Sequence, residues 1–377
     1  MALQEEIDSK SKEINTDGYP MSIGEVMSLY KEGDLDIHPE FQRFFRWSLL
    51  QKTKLIESIL LGIPIPSIFV SQRDDGVWDV IDGLQRLSTI FEFVGILKDK
   101  DRNILPSSKL VKTNYLPSLE GKLWDDKIHP ENSLTDVQKR IIKRQKLDIK
   151  IIKKESDPNA RFELFQRLNT LGTKLTDQEV RNCLLLMINK EFYNWVKDLS
   201  DYQPFLNCIN ISEKSLIEKF HQELVLRFFV FKNSSVTEIR KYEGIAEFIT
   251  EKVIEFTKSN DFNFFKEANI FKKTFDLLNK TLGENSFKKY DLVKNRLQGQ
   301  FLISSFESVA VGLGKNIFSW VNIPVTKELK EKFEEKVKSL WTDPNYLNNV
   351  GSGSNYMSRI PAVIPIGERV FKNEIIN

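Results

Sequence analysis

The sequence predicts an α+β protein, with strands and helices mixed over residues 20–190 and an all-helical region over 191–377. Three observations carry this. Two short apolar runs, "IPIPSIFVSQ" and "VWDVI", flank the turn sequence "RDDG" and read as a hairpin. A third run, "LDIKIIK", follows a helical pattern at about 134–146. Beyond residue 190 the chain is mainly Phe, Leu, Lys and Glu at helical spacing with short loops.

Residues 1–17 are polar and charged and are expected to be frayed. Ser22, with Glu25 three residues on, forms a capping box that opens a helix running to about Gly33. "DIHPEFQRFFRW" reads as extended, because Pro39 biases His38 away from helix. Ser48 with Gln51 opens a second helix, whose apolar positions Leu49, Ile56, Ile59 and Leu60 keep helical spacing until Gly62. After the hairpin comes "IDGLQRLSTIFEFV", where Leu84, Leu87, Phe91 and Val94 share one helical face. Gln85 and Thr89 share another, with Arg86 beside them. Residues 98–133 are irregular and contain Pro106, Pro117 and Pro130. Further on, Asp157 with Pro158 starts a helix with a Phe162, Phe165, Leu168 stripe, ended by Asn169 and Gly172. Thr176 with Glu179 caps the next helix, and "GSGSN" at 351–355 reads as a flexible joint. No repeat of 20–50 residues is visible.

Composition excludes several classes. A net charge of +2 leaves nucleic-acid binding to be decided by local charge distribution. Cys183 and Cys208 cannot build a disulfide framework or a four-ligand zinc site. His38, His129 and His221 lie in no metal-ligand spacing, which argues against an HNH-type nuclease centre. With no signal sequence and no apolar stretch near bilayer length, a soluble cytoplasmic protein without a membrane partner is expected.

The sharpest local feature is the corner at residues 82–86. A helix N-terminus offers unpaired N–H groups and partial positive charge to an anion. Gly83 would let a ligand approach the backbone, Arg86 can fork onto phosphate oxygens, and Gln85 can orient a ligand or water. Asp82 can hold magnesium or activate water. The competing reading is structural: Asp82 caps the helix and pairs with Arg86 at i,i+4. No Walker A or dinucleotide fingerprint is present. In "FQRFFRW", Gln42, Arg43 and Arg46 sit beside aromatic rings, which suits phosphate contacts with base stacking, or equally a half-buried edge strand. The stretch 139–154 holds eight basic residues against one acid. There Lys139, Lys143 and Lys146, with Arg140 and Arg144 beside them, form a candidate DNA-backbone stripe or an ordinary solvated face.

"FQRFFRW", "IDGLQRLSTI" and "FELFQRLNTLGTKLTDQEVRN" resemble, in order and spacing, three motifs of the GmrSD-type, ParB-like domain family, whose signature is an Asp-Gly-Gln-Gln-Arg box. The resemblance covers residues 20–190 and extends more loosely to "FHQELVLRFFVF" at 220–231. It implies a ParB/sulfiredoxin-like fold, a small mixed sheet flanked by helices, followed by a helical region. It further implies a part in prokaryotic restriction or phage defence, with the box binding and hydrolysing a nucleoside triphosphate. Carried over, Asp82, Gly83, Gln85 and Arg86 occupy the box, Gln42, Arg43 and Trp47 the first motif, and Asn169, Gly172 and Glu179 the third. In that scheme magnesium bridges the phosphates and Asp82, Arg86 offsets charge, and Gln85 orients water. Leu84 replaces the first glutamine of the box. The HNH nuclease of two-part relatives is not seen here, so cleavage would need a separate partner chain. The alternatives are a non-catalytic DNA-binding or regulatory module, and a nuclease centred on Asp82, for which one carboxylate is thin support.

Overall fold

The structure, a computed structural model, describes residues 3–5, 15–37, 47–99, 101–153, 177–259, 261–350 and 356–373. The chain divides into two compact units, Met1–Leu175 and Thr176–Asn377.

The first unit is built on a five-stranded mixed sheet. In chain order its elements are β1 (Thr16–Ser22), α1 (Ile23–Glu32), β2 (Leu35–Asp36), α2 (Leu49–Leu60), β3 (Ile68–Gln72), β4 (Trp78–Asp82), α3 (Leu84–Val94), α4 (Asp136–Arg144) and β5 (Lys146–Ile152). The sheet order is β1-β5-β3-β4-β2. Pairing is antiparallel at β1/β5 and β3/β4, and parallel at β5/β3 and β4/β2.

Local chemistry explains the helix starts. Capping boxes form at Ser22 with Glu25, Ser48 with Gln51, and Thr135 with Gln138, each satisfying two otherwise orphaned N–H groups. The hairpin turns at Gly76, whose φ of 90° suits glycine. One face of the sheet supplies Ile68, Val70, Val80, Leu147 and Ile149 to the core. Against it pack Ile23 and Val26 from α1, Ile56 and Ile59 from α2, Leu87 and Phe91 from α3, and Ile142 from α4. Tyr30 stacks on Phe91 at 4.3 Å between ring centroids. Buried Glu57 accepts hydrogen bonds from the Thr113 hydroxyl and, at 2.9 Å, the Leu116 N–H, tying the irregular stretch after α3 to the α2 helix.

Two expectations are corrected. Residues 16 and 17 are not frayed: they begin β1, whose register runs from Thr16↔Ile152 to Ser22↔Lys146. "TDGYPMS" lacks alternation because β1 is a mostly exposed edge strand, where Pro20 is tolerated. The second unit is not all-helical: β6 (Lys289–Asp291) and β7 (Arg296–Gln298) form a small antiparallel hairpin.

The other described elements of the second unit are helices. Its elements include α5 (Asp177–Ile188), α6 (Lys190–Ser200), α7 (Gln203–Ile209), α8 (Glu213–Ile217), α9 (Phe220–Asn233), α10 (Val236–Ile239), α11 (Ile245–Lys258) and α12 (Phe264–Thr281). A continuous helical run over 303–316, α13, contains a π-helical turn at Phe306–Ala310. Then come α14 (Lys327–Leu340), α15 (Pro344–Leu347) and α16 (Tyr356–Phe371). Phe228, Phe271 and Phe275 interlock edge-to-face and tilted in the core. α13 and α16 touch backbone to backbone: a Cβ on Gly367 would lie 2.0 Å from the Ser308 carbonyl oxygen. Only glycine permits that approach. Among the described residues, no helix is long and apolar enough to cross a membrane.

Candidate functional site

The corner at 82–86 is assembled by an irregularity in the sheet. Phe69 pairs with Asp82 and Val70 with Val80, so Ile81 is an extra residue. Such a bulge re-aims the residues after it. Gly83 follows with a φ of 97° and serves as the N-cap of α3, with no side-chain cap. Asp82 therefore does not cap this helix. Its Oδ2 instead accepts from Arg86 Nη2 at 2.7 Å. The ion-pair half of the structural reading is realised and the cap half is not.

Arg86 is held from a second direction. Its Nη1 donates to the Pro66 carbonyl and, at 3.1 Å, to the Ser67 carbonyl. Its side chain is 12% exposed and that of Asp82 30%. The guanidinium thus stitches the first turn of α3 to the approach to β3. The space beside Gly83 is also filled, since a Cβ there would lie 2.2 Å from Ile68 Cδ1. Glycine is required at 83 by backbone conformation and by Ile68, where ligand approach had been expected. Next along the sheet, the Ser67 hydroxyl donates to Asp148 Oδ2 at 2.7 Å, and Lys150 Nζ lies 3.2 Å from the same carboxylate. The Ser67 hydrogen bond and the Lys150 charge hold the Asp148 carboxyl below its usual range. One end of the sheet therefore gathers Asp82, Arg86, Ser67 and Asp148. Gln85 is half-buried, and its backbone carbonyl accepts from the Thr89 hydroxyl at 2.7 Å. Leu84 packs at the rim of the core, as its place on the apolar stripe implies.

The expected basic stripe is only partly assembled. Lys139 pairs with Asp125, and Lys139 and Lys143 both lie over the Trp124 ring, at 5.9 and 5.8 Å. Arg140, Lys143 and Arg144 are exposed on α4. Lys146 is exposed too, but it belongs to β5, past the end of the helix, so it does not continue a helical face. Gln42, Arg43, Arg46, Asn169 and Gly172 lie outside the described residues, as do Asp157, Thr176 and the 351–355 joint. Among the described residues, no group of three or more His, Cys, Asp or Glu could hold a metal ion.

The second unit holds a polar centre that sequence reasoning missed. Glu307, in the π-helical turn, is 0% exposed. It accepts from Arg227 Nη1 at 3.0 Å, and from Arg359 Nε at 3.0 Å and Nη2 at 3.1 Å. Arg227 in turn donates to Glu223 Oε1 through Nε at 2.8 Å. Burial works to raise the Glu223 pKa, but the Arg227 and Arg181 guanidiniums outweigh it and keep the carboxyl below its usual range. Beside this chain, Arg181 Nε donates to the Thr250 hydroxyl at 3.1 Å, and Asn182 Nδ2 donates to Gln222 Oε1 at 2.6 Å. One signal was visible: "FHQELVLRFFVF" is too apolar for a surface helix, yet carries Gln222, Glu223 and Arg227. Polar residues in a helix buried all round need partners.

His221 neighbours this centre. Its Nδ1 is buried without a hydrogen-bond partner, and burial, with the Lys219 charge, pushes its pKa down to about 4. A base with a depressed folded-state pKa stabilises the fold fully above its ordinary value of 6.5, and that contribution is lost as pH falls toward 4. Wild type should lose about 3 kcal/mol more than His221→Phe across this window. Denaturation midpoints of both proteins at a series of pH values check this, and parallel curves would refute it.

A mixed sheet flanked by helices, with an Asp-Gly-x-Gln-Arg corner joining β4 to α3, defines the class of domain. Residues 23–186 match the family described as "GmrSD restriction endonuclease, N-terminal domain", and that part of the chain belongs to it. The chain thus carries the N-terminal domain of a restriction-endonuclease family. No HNH domain is detected in it. No curated protein and no solved structure matches the chain.

Proposed function

We propose that the first unit binds and hydrolyses a nucleoside triphosphate at the Asp82 corner and couples this to DNA engagement in a restriction system. The observation that carries the reading is the start of α3. Among the described residues, the other long helices of this unit begin with full capping boxes, whereas α3 follows Asp82-Gly83 with no side-chain cap. Its N-terminus is left to an anion, and phosphate is the anion such an end suits. Asp82 commits Oδ2 to Arg86, and its side chain stays partly exposed. Magnesium is commonly held by one or two carboxylates, with substrate phosphates and water completing the shell, so Asp82 fits as its protein ligand. Bound there, the ion would neutralise charge developing on the phosphates. Arg86 is a positioning residue that fixes the Asp82 carboxylate, and Gln85 orients the attacking water. Arg140, Lys143, Arg144 and Lys146 contact the DNA backbone, while Gln42, Arg43, Arg46 and Asn169 complete the nucleotide site. Cleavage falls to a nuclease partner.

A hydrolysis panel of the four common triphosphates, with and without duplex DNA, on wild type and Asp82→Asn tests the reading. Wild type should turn over at least one triphosphate, and Asp82→Asn should lose about a hundredfold or more with its melting curve unchanged. Equal turnover by both proteins refutes the site. One observation favours a second reading, a regulatory module that binds without turnover: the Arg86 guanidinium is already engaged by Asp82, Pro66 and Ser67. Triphosphate binding by wild type with no hydrolysis under any condition would select that reading.

A further inference from the structure

We propose that the second unit contains a nucleobase site, in which Glu223 accepts the N–H edge of a base stacked against aromatic side chains, and that guanine is the base it fits. The site lies wholly within this unit and does not depend on the triphosphate reading.

A cavity of about 720 Å³ opens here, within the roughly 300–1,000 Å³ usual for small-molecule sites. Phe220, Phe301 and Phe287 form one wall, with the middle ring, Phe301, meeting Phe220 edge-on at 6.0 Å and Phe287 edge-on at 5.8 Å. Tyr356 also lines the cavity and is backed by the Arg359 guanidinium at 4.6 Å. Phe220, Glu223 and Arg227 are spaced three and four apart on α9, so one helical face presents ring, carboxylate and guanidinium together. Both Arg227 contacts to Glu223, through Nε and Nη2, fall on Oε1. Oε2 takes neither contact, and Glu223 lines the cavity.

The support behind Glu223 is expensive for mere packing. Two arginines and Glu307 are buried to hold it, and ionic networks of this kind cost desolvation that a hydrophobic cluster would not. The π-helical turn that carries Glu307 is itself a rare element, frequent at functional sites. Rigid support of one charged group by a locked outer shell is how binding sites are preorganised.

Charge selects the ligand. Lys288 and Arg227 are the cations of the lining, and each is already paired: Lys288 with Glu284 at 3.2 Å, Arg227 with Glu223 and Glu307. Nothing is left over to receive a triphosphate. An ionised acceptor between rings instead takes a planar heterocycle through N–H groups. Guanine offers two adjacent donors, N1–H and N2–H, on its pairing edge, and both can converge on the single free oxygen Oε2. Adenine and cytosine set a ring acceptor beside their amino group, and an anion repels it. The base can arrive as a free nucleoside or extruded from a strand, and the chemistry at Glu223 is the same for both.

Calorimetric titration of the full chain tests this, using guanosine, adenosine, arginine methyl ester, and single-stranded oligonucleotides with and without one guanine. Guanosine should bind at least tenfold tighter than adenosine. Tighter binding of the guanine-containing strand than of guanosine would identify an extruded base as the source, and the reverse a free nucleoside. Glu223→Gln should weaken guanosine at least tenfold. Half-buried Phe301→Ala, which leaves the ionic chain intact, should weaken it about tenfold with little change in melting temperature. Asp82→Asn should bind guanosine as wild type does, so failure of the triphosphate site reads out separately. The proposal is overturned by no binding of guanosine or the guanine strand at roughly 1 mM. It is equally overturned by equal affinity for adenosine, by tighter binding of the arginine ester, or by affinity unchanged in Phe301→Ala.

Discussion

Replacing Glu307 with alanine is expected to remove about 3–5 kcal/mol of stability from the second unit. The carboxylate is fully buried and is the shared acceptor of Arg227 and Arg359, whose side chains are themselves buried. Deleting it strands two guanidiniums away from water, with Glu223 left to balance only the first. Glu307→Gln keeps the shape and loses the charge, so it should fall between wild type and alanine. Pairing Glu307→Leu with Arg359→Met should recover part of the loss, because it removes both a charge and the cation left orphaned by it. Urea unfolding followed by tryptophan fluorescence measures all three. Because the chain has two units, the transitions need not coincide, and the midpoint assigned to the second unit is the quantity to compare. A loss below about 1 kcal/mol for the alanine variant would mean that solvent reaches the network and that its burial has been misjudged.

Gly83→Ala should cost about 3 kcal/mol in the first unit, from two separable sources. The backbone at 83 has a φ of 97°, which an L side chain adopts only under strain, and the new methyl would meet Ile68 Cδ1 at 2.2 Å. Ile68→Val removes that methyl at a cost of its own of about 1 kcal/mol. The double variant should therefore be less damaged than the sum of the singles, by roughly 1 kcal/mol, while the conformational part of the loss persists. Strict additivity would show that Ile68 has room to turn aside. The outcome bears on function as well, since Gly83 sets the line of α3 on which Gln85 and Arg86 stand.

Much of the first unit was legible because it obeys short-range rules. Ser22 with Glu25, Ser48 with Gln51, the hairpin around Gly76 and the stripe from Leu87 to Phe91 each concern residues within a few positions of one another, and each forms as spacing implies. β1 escaped because it is an exposed edge strand with a proline: its place is set by pairing with β5, about 130 residues away, and by no pattern of its own. The Asp82–Arg86 pair was foreseeable at i,i+4, whereas the Pro66 and Ser67 carbonyls that share Arg86 were not, because the sheet alone brings them close.

The amino-acid order by itself determined where helices begin, where the hairpin turns, that a carboxylate, a glycine and a guanidinium would crowd one strand-to-helix corner, and to which family residues 23–186 belong. Caps, turns and periodicity act over a few residues, and motif order survives whatever the chain packs against. Only the tertiary structure decided how each charge is used: that Arg86 braces Asp82, that Ile68 occupies the space beside Gly83, and that Glu223, Arg227, Glu307 and Arg359 meet beside an aromatic cavity. Those outcomes depend on hydrogen-bond partners up to 80 residues apart in the chain, Arg227 and Glu307, and on desolvation, which exists only once the chain has closed around them.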